Sequence, residues 1–116
     1  MERILVVSST DKSHAMLAQF LVSCGVQSQL YRAKAGSEAR RALVDGEFDL
    51  VLVNTPLPDE FGTELALDLS GGTAGVLLLV KNDYFDQVCY KVEREGVLTV
   101  GKPSSRQTLY GAVKLA

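Results

Sequence analysis

The chain has 116 residues, 47% apolar and 22% charged, with a net charge of −2 at pH 7 and no long block of one sign. That is one domain of ordinary size with enough apolar residues for a core, and it excludes global disorder. The weak acidic balance argues against a nucleic-acid clamp, and the longest apolar run, Val76 to Val80, is far short of the roughly 20 residues of a membrane helix.

Met1-Glu2-Arg3-Ile4 leads straight into an expected strand, Ile4 to Val7, and no signal peptide is expected. Ser8-Ser9-Thr10-Asp11 supplies helix N-cap candidates. A helix over Lys12 to Cys24 follows, with Leu17, Phe20, Leu21 and Cys24 on one face and Gly25 as its stop. Ser28 to Ala33 reads as a weak edge strand, since Leu30 and Tyr31 are its main β-formers. A second helix over Ser37 to Asp45 turns Ala39, Ala42 and Leu43 inward and ends at Gly46.

The third strand, Leu50 to Asn54, organises the chain. Leu50-Val51-Leu52-Val53 is a continuous apolar run of strand length, the mark of a strand buried on both faces. It stops at Asn54, and Pro56, Pro58 and Gly62 then mark an ordered loop. A third helix spans Gly62 to Ser70, with Leu65, Ala66 and Leu69 inward. Val76 to Val80 is a fourth strand, wholly apolar. A fourth helix starts at Asn82-Asp83 and runs to Glu95, with Phe85, Val88, Cys89 and Val92 on one face and Gly96 as its end. Val97 to Val100 is a short fifth strand, Gly101-Lys102-Pro103 a turn, and Ser105 to Leu115 a last helix with Leu109, Ala112, Val113 and Ala116 in register.

Five alternating βα units with buried strands predict a parallel sheet covered by helices on both faces. Five units cannot close a (βα)8 barrel, which takes about 250 residues. The expected fold is therefore α/β, a flavodoxin-like (βα)5 doubly wound open parallel sheet of strand order 2-1-3-4-5. In such sheets ligands bind at the carboxyl ends of the strands, where the order reverses. That places Ser8, Ser9 and Asn54 together, with Val80, Lys81 and Lys102 across the crevice.

Other patterns point away from chemistry. Cys24 and Cys89 lack a CxxC spacing and read as buried reduced thiols of a cytoplasmic protein. His14, the single histidine, reads as a solvated surface residue, and no Cys/His cluster has zinc spacing. No Gly-x-Gly-x-x-Gly follows the first strand, Gly71-Gly72 is no phosphate loop, and Ser8 and Ser9 lack a general base.

Five βα units, Asn54-Thr-Pro-Leu-Pro58-Asp-Glu-Phe-Gly62 after the third strand and Lys102-Pro103 after the fifth make the chain similar to a receiver domain of two-component response regulators, over all of residues 1–116. The resemblance implies phosphorelay signal transduction. In that family two acidic residues after the first strand and an aspartate ending the third hold Mg²⁺, and that aspartate becomes an acyl phosphate. A lysine contacts the phosphoryl group, and a Thr or Ser with an aromatic switches. Here Ser8 and Ser9 occupy the acidic-pair positions, Asn54 the phosphoacceptor position, and Val80 and Thr99 the switch positions; Lys102 and Pro103 are retained.

A pocket with no carboxylate and an ammonium is expected to have lost Mg²⁺, and a neutral amide is a poor nucleophile. The expectation is a pseudo-receiver that is no enzyme and has neither metal nor cofactor. Asp59, on the loop, is expected to be solvated and no substitute acceptor. Two readings stay open for the pocket: Lys102 bonded to Asn54, the serines or loop carbonyls in one fixed state, or a small anion or metabolite site.

Together with Gly75-Val-Leu-Leu-Leu-Val-Lys81 and Lys102-Pro-Ser-Ser-Arg-Gln, the missing acids narrow the resemblance to receivers of ANTAR-type regulators, which act as RNA-binding transcription antiterminators through a helical output domain. The pattern is still helical at Ala116, so the chain is expected to be a segment of a longer regulator. Expected partners are its own output domain or a second copy, through helices 4 and 5 with Tyr84, Tyr90 and Tyr110, or a sensor kinase; no nucleic acid or membrane is expected to bind this segment. The alternative for the three tyrosines is that they roof the sheet.

Overall fold

The computed structural model describes residues 3–26, 29–103 and 105–115. Ser28, the expected start of the second strand, Ser104, and Ala116, the last position of the expected helical stripe, lie outside the described residues.

The elements are β1 (Arg3–Val7), α1 (Asp11–Ser23), β2 (Gln29–Ala33), α2 (Gly36–Asp45), β3 (Leu50–Asn54), α3 (Thr63–Ser70), β4 (Gly75–Lys81), α4 (Phe85–Val92), β5 (Leu98–Lys102) and α5 (Arg106–Leu115). The strands form one parallel sheet in the order β2-β1-β3-β4-β5. This is the expected open sheet of the flavodoxin-like kind.

β3 is central because its apolar run can be buried on both faces. Leu50, Val51, Leu52 and Val53 are fully buried, each contributing about 1.5–3 kcal/mol of burial. Alternation along the strands then divides the core. Ile4, Val6, Leu50, Leu52, Leu77 and Leu79 face one side, with Leu21 of α1 and Val113 of α5. Leu5, Val7, Val51, Val53, Leu78 and Val80 face the other, under Ala39 of α2, Leu65 and Ala66 of α3, and Val88 and Val92 of α4.

Thr10 caps α1, its Oγ1 accepting from Ser13 N at 3.1 Å. Gly62 opens α3 at φ +127°, where a Cβ would stand 2.9 Å from Thr55 Cγ2. Only glycine reconciles that backbone with the close approach.

Several boundaries and burials differ from expectation. The expected fourth helix is three pieces: a 3-10 turn over Asn82–Tyr84, α4, and a second 3-10 turn over Glu93–Glu95 that closes at left-handed Gly96. β5 extends through Gly101 and Lys102, so the expected turn begins only at Pro103. Gly101 fits in a strand here because the Asn82 side chain, donating to Pro103 O at 3.1 Å, occupies the space a Cβ would take. Cys24 and Cys89 are half-buried free thiols, not core residues. Burial, with Glu93 close by, pushes the Cys89 thiol above its ordinary pKa. His14 is half-buried too, and its Nδ1 is enclosed without a hydrogen-bond partner. Burial, then the Arg32 charge, lowers its pKa.

Candidate functional site

The site is built at the carboxyl ends of β1, β3 and β5. Parallel register sets Asn54 opposite Leu79 at the end of β3, just past the pairing of Val53 with Val7. Lys102 ends β5, opposite Lys81.

Asn54 is half-buried and links the two neighbouring loops. Its Oδ1 accepts from Lys102 Nζ at 2.8 Å, and its Nδ2 donates to Ser8 Oγ at 3.3 Å. An ammonium can only donate, so the amide oxygen must face Lys102 and the amide nitrogen Ser8. Lys102 Nζ also donates to Thr55 O at 2.6 Å. The backbone that carries Thr55 O is itself fastened, because Thr55 Oγ1 donates to Leu79 O at 2.8 Å. Thr55 is a buried contributor that sequence reasoning passed over; its one signal was a polar residue directly after a buried strand.

Burial, followed by the Lys81 charge, lowers the Lys102 pKa. The lowering is what an ammonium suffers when no anion compensates its lost hydration. Among the described residues Lys102 forms no ion pair.

The remaining expected site residues divide. Ser8 is fully buried beneath Asn54, whereas Ser9 is exposed and bonded to neither Asn54 nor Lys102. Val80 does not line the crevice. Its side chain is fully buried on the face covered by α2, α3 and α4. Strand alternation explains this: Val80 shares a face with Leu78, and the next residue, Lys81, is the exposed one. Thr99 is half-buried in β5 opposite Leu78. Pro103 is exposed beyond the strand, after a cis peptide bond from Lys102.

The nearby acids are committed elsewhere. Asp11 pairs with Arg32 at 2.5 Å, and that hydrogen bond, with the charge behind it, lowers its pKa. Asp59 is exposed, as expected, but its oxygens accept from Gly36 N at 2.9 Å and Ser37 N at 3.0 Å. These amide donors lower its pKa. Asp59 thus does for α2 what its own N-cap, Ala35, cannot. Glu60 pairs with Arg40, which reaches Asp68 of α3 at 2.8 Å as well. The two carboxylates raise the Arg40 pKa further. A Cβ on Gly36 would fall on the Glu60 carboxylate, so a side chain there would have to displace Glu60 from its place beside Arg40. Sequence reasoning missed this clamp.

Mg²⁺ prefers carboxylate and water oxygens in an octahedron. Around Asn54 the donors are one amide oxygen, one buried hydroxyl and one carbonyl, with an ammonium on two of them. That set does not fit the ion. Among the described residues no group of three or more His, Cys, Asp or Glu side chains could hold a metal.

The fold is that of receiver domains. Solved structures similar to it over nearly the whole chain include a response regulator receiver domain protein from Clostridium thermocellum, at 18% identity, TM-score 0.83 and coverage of 99% of this chain and 93% of that one. A chemotaxis response regulator of Vibrio cholerae matches at 18% identity, TM-score 0.80, covering 99% and 98%. The signal receiver domain of an HD domain-containing protein from Pseudomonas fluorescens Pf-5 matches at 24% identity, TM-score 0.82, covering 98% and 85%. No family model and no curated protein matches the sequence.

Proposed function

We propose that the chain is a receiver-type signalling domain of a response regulator that works without phosphorylation, and is no enzyme. The observation that carries this reading is the run Lys102 to Asn54 to Ser8, with Lys102 also on Thr55 O. The groups that would meet a phosphoryl donor and its Mg²⁺ are a carboxamide, a hydroxyl and an ammonium. The carboxamide nitrogen lone pair is delocalised into its carbonyl, so it makes a poor nucleophile. The nearest loop acid, Asp59, is held by two amides of α2. Lys102, Asn54, Ser8 and Thr55 thus satisfy one another without a phosphoryl group.

The output we assign is an RNA-binding antiterminator domain carried C-terminally, with the regulator in the cytoplasm. This rests on the resemblance of the motifs around Asn54, Lys81 and Lys102 to ANTAR-type regulators. The contact face for that domain, or for a second copy, is α4 and α5. Tyr90 of α4 is 75% exposed there, which supports contact and argues against its roofing the sheet. Tyr84, in the 3-10 turn before α4, packs edge-on against Phe61, and Tyr110 borders Ser23 and Cys24 on the α1 side of α5.

The test is incubation with acetyl phosphate and Mg²⁺ followed by intact-mass spectrometry. The expected result is unchanged mass; an added phosphoryl group would overturn the reading. RNA binding by the full-length regulator checks the output.

A further inference from the structure

A cleft of about 220 Å³ opens between α1 and α5 and ends at the site. Its walls are Met16 and Leu17 of α1, Leu79 of β4 and Leu109 of α5. Its polar end is Asn54 and Lys102, with Ser13 at one side. Met16 is 62% exposed, a large apolar side chain left in water at the edge of an apolar groove.

An ammonium has three N–H donors. Lys102 spends two, on Asn54 Oδ1 and Thr55 O, and the third has no acceptor among the described residues. No carboxylate among the described residues pairs with it. The Lys102 ammonium therefore ends an apolar cleft, with the Lys81 charge beside it but outside the lining. A polyanion such as phosphate would leave the apolar walls unmatched, and Asn54 Nδ2 is already on Ser8. An apolar body bearing one carboxylate matches both the wall and the charge.

We propose that this cleft binds a small monocarboxylate with an apolar body, its carboxylate on Lys102 Nζ and its body along Met16, Leu17, Leu79 and Leu109. At ~30 Å³ for each water-sized group, the volume holds about seven such groups, the size of a six-carbon acid. The site stands apart from the phosphorylation-independent reading, since a failed ligand test leaves the acetyl phosphate result unchanged.

The experiment titrates the whole chain with hexanoate, 1-hexanol and butanoate and follows backbone amide shifts by NMR. Hexanoate is expected to give saturable shifts at Met16, Leu17, Leu109 and Lys102. 1-Hexanol, lacking the charge, is expected to bind roughly tenfold or more weakly. Butanoate loses two buried methylenes and weakens on the order of tenfold. Lys102→Gln is expected to bring hexanoate down to the level of hexanol. Met16→Glu, at an exposed position that tolerates it, sets a like charge in the cleft and is expected to weaken hexanoate while the fold persists. The proposal is overturned by the absence of saturable shifts, by hexanol binding as tightly as hexanoate, or by hexanoate binding Met16→Glu unchanged.

Discussion

Two stretches of the same loop carry opposite electrostatics. At its start, Asn54, the last residue of β3, and Thr55 offer neutral oxygens to an ammonium that has no carboxylate partner among the described residues. A few residues on, Asp59 and Glu60 are both tied to α2, by amides and by Arg40. The acids are thus on the outer half of the loop, where they act as fasteners. The inner half, where metal chemistry would need them, has none. What counts for function is therefore where a carboxylate's lone pairs are already spent. Asp59 is near enough in sequence to tempt assignment, yet its oxygens are occupied and its pKa is lowered.

Cutting the outer half should cost more than disturbing the inner half. Arg40→Met removes two carboxylate partners at once, one of them the part-buried Glu60. A single exposed pair is worth about 0–1 kcal/mol, so the networked pair is expected to cost about 1–2 kcal/mol, read as a shift in the urea midpoint. A variant as stable as the parent would mean that the fasteners are ornamental and the comparison false.

Asp59→Asn isolates the cap, with a smaller effect that changes with pH. The folded state holds the Asp59 pKa below its ordinary 3.8. The contribution is therefore complete above that value and is lost as pH falls through the lower, folded pKa. The parent is expected to lose stability more steeply than Asp59→Asn as acid is added below pH ~4, measured by thermal melts. Asp11, whose pKa is also lowered, remains in both proteins and cancels in the difference. Equal acid slopes would remove the cap.

The inner half was the more legible of the two. The apolar runs Leu50–Val53 and Val76–Val80 have strand length and end at polar or glycine-rich stops, so the sheet and its order followed from pattern and chain length. That order, with the receiver resemblance, brought Asn54 and Lys102 together across a separation of 48 residues. Within a wholly apolar strand, however, sequence does not say which face a residue takes, and Val80 was placed in the crevice when alternation buries it under α4. The clamp was not legible. Arg40 reaches Glu60 and Asp68 over 20 and 28 residues, and no helical or strand period links them. The break of the fourth helix at Val92 was hidden as well, because Asn82 to Glu95 contains neither Gly nor Pro.

The smallest expected effect concerns Lys102. Burial and Lys81 hold its folded pKa below the ordinary 10.5, so the unfolded chain binds the proton more tightly. Between the folded pKa and 10.5 the unfolded state carries more protons, and stability must rise with pH across that window. The penalty of the buried charge is full below it and relieved above. Lys102→Met has no such group. The stability of the parent minus that of Lys102→Met is therefore expected to grow as pH is raised toward 10.5, in paired denaturant titrations. Subtraction matters, because the raised Cys89 pKa contributes the opposite slope in a neighbouring range and is common to both proteins. A difference that is flat would mean that the ammonium is already compensated. A difference that falls with pH would mean that an anionic partner raises its pKa, and the inner half of the loop would then resemble the outer.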